Sequence, residues 1–181
     1  RGSAATLERG RRCRNFVFIS QVKRTKGIPE IIAAAERFGA DVCVDVYGPF
    51  FDDLSEKFFA GLERVRYRGV LPPAEVPGVL RRYHAVLLPT YYEGEGYPGI
   101  IIESYAAGLP VITTRWKNVP EIADDSCALL IEPRNAEALY QAMKALMEDD
   151  ALYARLCAGA RSKRQFFDAN GFWEIETPIL T

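Results

Sequence analysis

Two short stretches of this 181-residue chain carry side chains suited to holding an anion and a sugar. The first, Ser20-Gln21-Val22-Lys23-Arg24-Thr25-Lys26-Gly27, puts Lys23, Arg24 and Lys26 next to a helix start. Cations beside unpaired helix N–H groups make a phosphate site; the same cations also fit a solvated turn. The second stretch is Glu93-Gly94-Glu95-Gly96-Tyr97-Pro98-Gly99-Ile100-Ile101-Ile102-Glu103. Gly94, Gly96 and Gly99 let a backbone approach a ligand closely, and the helix that follows aims its free N–H groups the same way. Glu103 lies about one turn inside that helix, where the dipole alone gives a carboxylate little support. Beside the apolar run 100–102 it can accept hydrogen bonds from a pair of sugar hydroxyls. An amphipathic helix with one surface glutamate is the plainer alternative. Tyr91 and Tyr92 flank the loop and can wall a ligand or simply pack. Trp116 and Lys117 are weaker candidates at the same edge. His84 is the single histidine, and one imidazole makes neither a metal site nor a triad, so it reads as structural.

These loops need a scaffold, and the hydrophobic pattern supplies one. The apolar run 16–19 reads as a strand buried on both faces, and 42–47, 65–67, 85–88, 110–113 and 128–131 read as further strands. Between and after them, helical spacing predicts helices over 27–38, 54–62, 73–83, 99–107, 120–123, 136–147 and 151–167. Pro29 fits the first turn of its helix, and Asp52 or Asp53 can cap the next one. Strands alternating with helices imply repeated βαβ units and right-handed crossovers. The expected fold is α/β, a doubly wound parallel sheet of Rossmann-like type. Such sheets bind ligands at the carboxyl ends of their strands, which is where both stretches fall.

Composition narrows the rest. Hydrophobic residues make up 49% of the chain, enough for a sizeable core. Twenty-three basic and 24 acidic side chains nearly cancel, which argues against a nucleic-acid binder. No apolar run reaches the roughly 18 residues a membrane span needs. Cys13, Cys43, Cys127 and Cys157 are too scattered for a zinc site or a disulfide framework and read as reduced thiols in a cytoplasmic protein. Residues 1–14 hold five arginines against Glu8 and read as a basic linker or the cut edge of a larger domain. A basic patch for an acidic membrane surface is the weaker reading of that stretch. The expected division is therefore 1–14, a domain over 15–160, and a C-terminal helix and tail over 161–181.

Glu95 and Glu103 stand seven residues apart, as in the E-x7-E motif, and the chain resembles the retaining GT-B glycosyltransferases of group 1 (family 4) type. The likeness rests on an ordered series. Val65-Arg66-Tyr67-Arg68-Gly69 leads to Leu87-Leu88-Pro89-Thr90, similar to the family's strand, glycine, helix and "LPS" turn. Ser104-Tyr105-Ala106-Ala107-Gly108-Leu109-Pro110-Val111-Ile112 is similar to "AMASGxPVV". Asn118-Val119-Pro120-Glu121-Ile122 is similar to "GxPEI", and Leu130-Ile131-Glu132-Pro133 to "LVxP". The series covers about residues 15–160 and implies the C-terminal, donor-binding half of a GT-B fold. It implies that Lys26 holds the donor diphosphate, that Glu95 lies near the donor sugar and the reacting centre, and that Glu103 binds the nucleotide ribose. The backbone of Gly96, Tyr97, Gly99 and Ile100 would cradle sugar and diphosphate. Gln21 stands where the family has a second cation, a charge that Lys23 or Arg24 can replace. Pro98-Gly99 replaces the usual Gly-Leu order.

The resemblance further implies a UDP- or GDP-linked sugar as donor and no obligatory metal; the chain shows no DxD motif and no histidine cluster. The expected partners are the nucleotide-sugar and an N-terminal acceptor domain or separate subunit. Peripheral contact with the inner membrane face would come through the rest of the enzyme. The expected reaction is retaining sugar transfer in cell-surface glycan synthesis, with the isolated domain inactive. A non-catalytic nucleotide-sugar-binding module, or one subunit of a split transferase, is the other reading. Residues 166–181 separately resemble motif 1 of class II aminoacyl-tRNA synthetases, while motifs 2 and 3 are absent.

Overall fold

The computed structural model describes residues 13–169, with side chains through residue 167. Six strands form one parallel sheet: β1 (Asn15–Ile19), β2 (Cys43–Tyr47), β3 (Val65–Tyr67), β4 (Ala85–Leu88), β5 (Val111–Thr114) and β6 (Ala128–Ile131). Their order is β3-β2-β1-β4-β5-β6. The central strands are dry, whereas β3 carries the exposed Arg66 and β6 is half-buried beyond Ala128. Phe16, Val17, Phe18 and all of β4 and β5 are buried, as parallel strands covered on both faces require.

Helices α1 (Ile28–Ala35), α2 (Val76–Leu80), α3 (Gly99–Ala106), α4 (Val119–Ile122), α5 (Ala136–Glu148) and α6 (Asp150–Ala169) complete the layers. The chain steps from β1 through α1 to β2 in one direction and from β4 through α3 to β5 in the other. Right-handed crossovers therefore put α1 and α3 on opposite faces. α5 packs on α1, and α6 packs on α3. β1 and β4 are neighbours whose following loops diverge, which opens a crevice at their carboxyl ends. Gly48, at the end of β2, has φ 141°, and a Cβ there would sit 1.7 Å from the Ser20 carbonyl. Only glycine lets the ends of β1 and β2 close up in this way.

Two expected helices are shorter than the pattern implied. The span 54–62 holds only a 3-10 turn, Glu56–Phe59. There Phe59 packs with Phe50 and Tyr67, and Asp53 pairs with Arg24 in place of capping a helix. Within 73–83 a 3-10 turn, Pro73–Glu75, precedes the five-residue α2, and Pro77 sits in the first turn of α2, so the expected helix is broken there. The expected boundary at residue 160 falls inside α6. The synthetase-like stretch lies almost wholly outside the described residues, as do residues 1–12. No helix among the described residues is long and apolar enough to cross a membrane.

Candidate functional site

Lys26 ends a 3-10 turn, Arg24–Lys26, that Gly27 closes in the left-handed conformation at φ 88°. A Cβ on Gly27 would lie 2.4 Å from the Pro89 carbonyl, so the β1 loop presses directly on the β4 loop. The Tyr91 N–H donates to the Thr25 carbonyl at 2.7 Å and fixes that contact. The result is a buried ion pair in the crevice. Lys26 Nζ stands 2.8 Å from both carboxylate oxygens of Glu95, with side chains 9% and 6% exposed. The Thr90 hydroxyl donates to Glu95 Oε2. Thr90 is itself fully buried, and its carbonyl accepts from the Thr114 hydroxyl on β5. Charges this dry are stable only when paired and hydrogen-bonded, and here each requirement is met.

Aromatic groups wall the pair. The Tyr92 ring has Lys26 Nζ 5.0 Å and Lys23 Nζ 4.5 Å from its centroid. Its carbonyl accepts from the Trp116 indole at 2.8 Å and from the Glu95 N–H at 3.0 Å. Trp116 thus positions the loop, while Lys117 pairs with Glu93 at 2.7 Å. Arg24 turns away: its guanidinium grips both oxygens of Asp53, at 2.8 and 2.7 Å, and lies over Phe58. Of the two cations that can replace the charge lacking at Gln21, Lys23 shares the Tyr92 ring with Lys26, while Arg24 is paired with Asp53.

The remaining loop residues separate into two groups. Gly99 and Ile100 open α3, where the first N–H groups have no intrahelical acceptor. A Cβ on Gly96 or Gly99 would meet nothing within 4 Å, so open space lies beside that backbone. Tyr97 projects outward, 54% exposed, and its hydroxyl donates to Glu121 at 2.5 Å. Glu103 is half-buried on α3, and its carboxylate meets no hydrogen-bond or ion-pair partner among the described residues. Burial alone pushes its pKa up. His84 accepts from the Asn15 N–H at 3.2 Å, which ties β1 to the start of β4.

Sequence reading gave Thr90 no role in the site; a hydroxyl two residues past a strand end, at the switch point, was the available signal. It also missed Glu30, which sits with Tyr91 and Arg134 near the crevice. Burial raises the Glu30 pKa, while the Tyr91 hydroxyl and Arg134 oppose that rise. Thr25 Oγ1 and Glu30 Oε2 are buried without a hydrogen-bond partner.

The family described as "Glycosyl transferases group 1" matches residues 13–149. A glycogen synthase of Mycobacterium tuberculosis is 25% identical over 156 residues, 82% of this chain and 37% of that one. The chain spans only 22% to 37% of the length of the first curated relatives it matches. Among solved structures, the C-terminal domain of the group 1 family protein LpcC from Francisella tularensis superposes with a TM-score of 0.70. It is 25% identical, over 86% of this chain and 85% of that one. HepE of Anabaena, solved with UDP and glucose, superposes at 0.72 with 18% identity, over 88% of this chain and 48% of that one.

Proposed function

The chain belongs to the glycosyl transferases of group 1, and on that premise we propose that it is the donor-binding half of a retaining sugar transferase. The donor is a nucleoside diphosphate sugar, UDP- or GDP-linked, in the crevice between the β1 and β4 loops. The observation that carries this reading is the buried Lys26–Glu95 pair at the switch point of the sheet. HepE, of the same fold, is described with UDP and glucose, which supports the donor class.

In this reading Lys26 and the N–H groups of Gly99 and Ile100 take up the charge that grows on the leaving diphosphate. Lys23, beside Tyr92, supplies the second cation. Glu103 accepts from the ribose hydroxyls, which suits a half-buried carboxylate without a protein partner. The bond between anomeric carbon and diphosphate oxygen breaks, an acceptor hydroxyl oxygen forms the new bond on the same face, and its proton passes to the departing diphosphate. The hold of Lys26 on both oxygens of Glu95 favours a positioning and electrostatic role for Glu95 over attack on the anomeric carbon. The backbone of Gly96 and Tyr97 borders the donor sugar, and no metal is required. The acceptor half lies outside what these 181 residues supply, and peripheral membrane contact belongs to that remainder.

Calorimetric titration with UDP and GDP at millimolar ligand, in EDTA, tests the reading. Binding is expected that weakens in Lys26→Ala and Glu103→Ala. No binding up to several millimolar, or binding indifferent to both changes, overturns it. Gln21 at the expected second-cation position favours a second reading, a module that holds the nucleotide-sugar without transfer. In that case binding persists and no acceptor half restores turnover.

A further inference from the structure

Away from the crevice, one face of the sheet departs from what parallel strands require. β2 and β3 pair Asp45 with Arg66, so Cys43, Asp45, Tyr47, Arg66 and Arg68 share a face. The other face of these strands is closed by Phe50, Phe59 and Tyr67. A parallel sheet normally buries both faces under apolar side chains. Here a cavity of about 570 Å³ stands on the first face, lined by those residues with Asn15, Arg82 and Tyr83.

The cavity is built around a fixed anchor. Asp45 is buried, and its oxygens are already taken: Arg68 Nε donates at 2.9 Å and the Tyr83 hydroxyl at 2.7 Å, with the Cys43 thiol at 3.5 Å. Engaging Arg68 through Nε leaves the outer edge of its guanidinium open. Arg66 and Arg82 pair with no acidic side chain among the described residues. Three guanidinium groups against one carboxylate leave a surplus of two positive charges. Planar guanidinium forks match the oxygens of a phosphate better than point charges do.

We propose that this cavity binds a phosphate-bearing dianion, with Arg66, Arg68 and Arg82 as the donors and Asp45 orienting Arg68. The site is separate from the crevice: none of its residues belongs to the loops that carry Lys26 and Glu95 or to α3, which carries Glu103. The phosphate comes from a soluble phosphate ester or from an acidic lipid headgroup, and the chemistry of recognition is the same.

The test uses the 181-residue chain with inorganic diphosphate in a calorimetric titration without nucleotide, since UDP is itself a phosphate ester, and on the Lys26→Met/Glu95→Gln background, which takes the charged pair out of the crevice. Arg66 and Arg82 are exposed, so Arg66→Ala/Arg82→Ala leaves the core untouched. On that background this variant is expected to weaken diphosphate binding at least tenfold. Co-sedimentation with phosphatidic acid vesicles against phosphatidylcholine vesicles assigns the source. Vesicle binding lost with the arginine changes points to a lipid headgroup, and diphosphate binding without vesicle binding points to a soluble ester. Equal affinity with and without the arginine changes on that background, or no diphosphate binding there at all, overturns the proposal whether or not UDP binds in the crevice.

Discussion

Replacing Lys26 by methionine keeps the length of the side chain and removes its charge. Glu95 is then a carboxylate only 6% exposed, held by the Thr90 hydroxyl alone. Breaking one partner of a buried pair costs about 3–5 kcal/mol, because the other charge stays behind without compensation. The surviving Thr90 bond places the expected cost toward the lower end of that range. A domain of this size has a total stability of about 5–15 kcal/mol, so the loss is a large fraction. At about 2–4 °C per kcal/mol, the melting temperature falls by about 6–20 °C. Adding Glu95→Gln removes the stranded charge, and the double variant recovers all but about 1–2 kcal/mol. Urea denaturation of the four proteins closes a double-mutant cycle. A Lys26→Met cost below about 1 kcal/mol, with no coupling to Glu95, would falsify the argument, since exposed pairs behave that way. The same cycle sets the temperature at which nucleotide binding by Lys26 variants can be compared on folded protein.

Other expectations follow from the same geometry. Burial raises the Glu103 pKa, so the ionised form opposes folding at neutral pH and that penalty fades as pH falls into the ordinary glutamate range. Glu103→Gln is expected to raise the urea midpoint at pH 7, to lose that gain near pH 4, and to weaken nucleotide binding; an unchanged midpoint at pH 7 counts against the burial argument. Gly27→Ala forces a Cβ against the Pro89 carbonyl at positive φ, so a loss of at least 1 kcal/mol is expected by thermal melting. Burial pulls the Asp124 carboxyl up, but hydrogen bonds from Lys163 and Ser126 outweigh it and hold it down to about 2. Its contribution is therefore present above the unfolded value of 3.8 and is lost as pH falls toward 2. Lys163→Met should shrink the stability difference between pH 6 and pH 3, measured by urea midpoints.

Most strands were legible because they are short runs rich in apolar or β-branched residues bounded by glycine, proline or a charge, as burial on both faces requires of the central ones. β4 and β6 fall on the expected residues, 85–88 and 128–131. The helices before β3 and β4 were less legible. Helical spacing over 54–62 is produced by phenylalanines that pack as an aromatic cluster with Tyr67, a partner on a different element. Pro77 and Gly78 weaken the pattern over 73–83, and the spacing of apolar residues does not register their cost.

The sequence by itself determined the alternation of strands and helices, hence the parallel sheet, its switch point and the loops that face it. It also placed Lys26 and Glu95 in those loops and Glu103 on the helix that the second loop opens, because both follow from strand boundaries. Tertiary structure decided the pairings. Lys26 and Glu95 are 69 residues apart and meet only because β1 and β4 are neighbours. Arg24, two residues from Lys26, is drawn to Asp53 instead, a choice between acceptors that only the folded β2 loop offers. The face carrying Asp45 and three arginines was invisible for the same reason. Alternation along a strand says which residues share a face, and the packing of distant elements decides whether anything covers it.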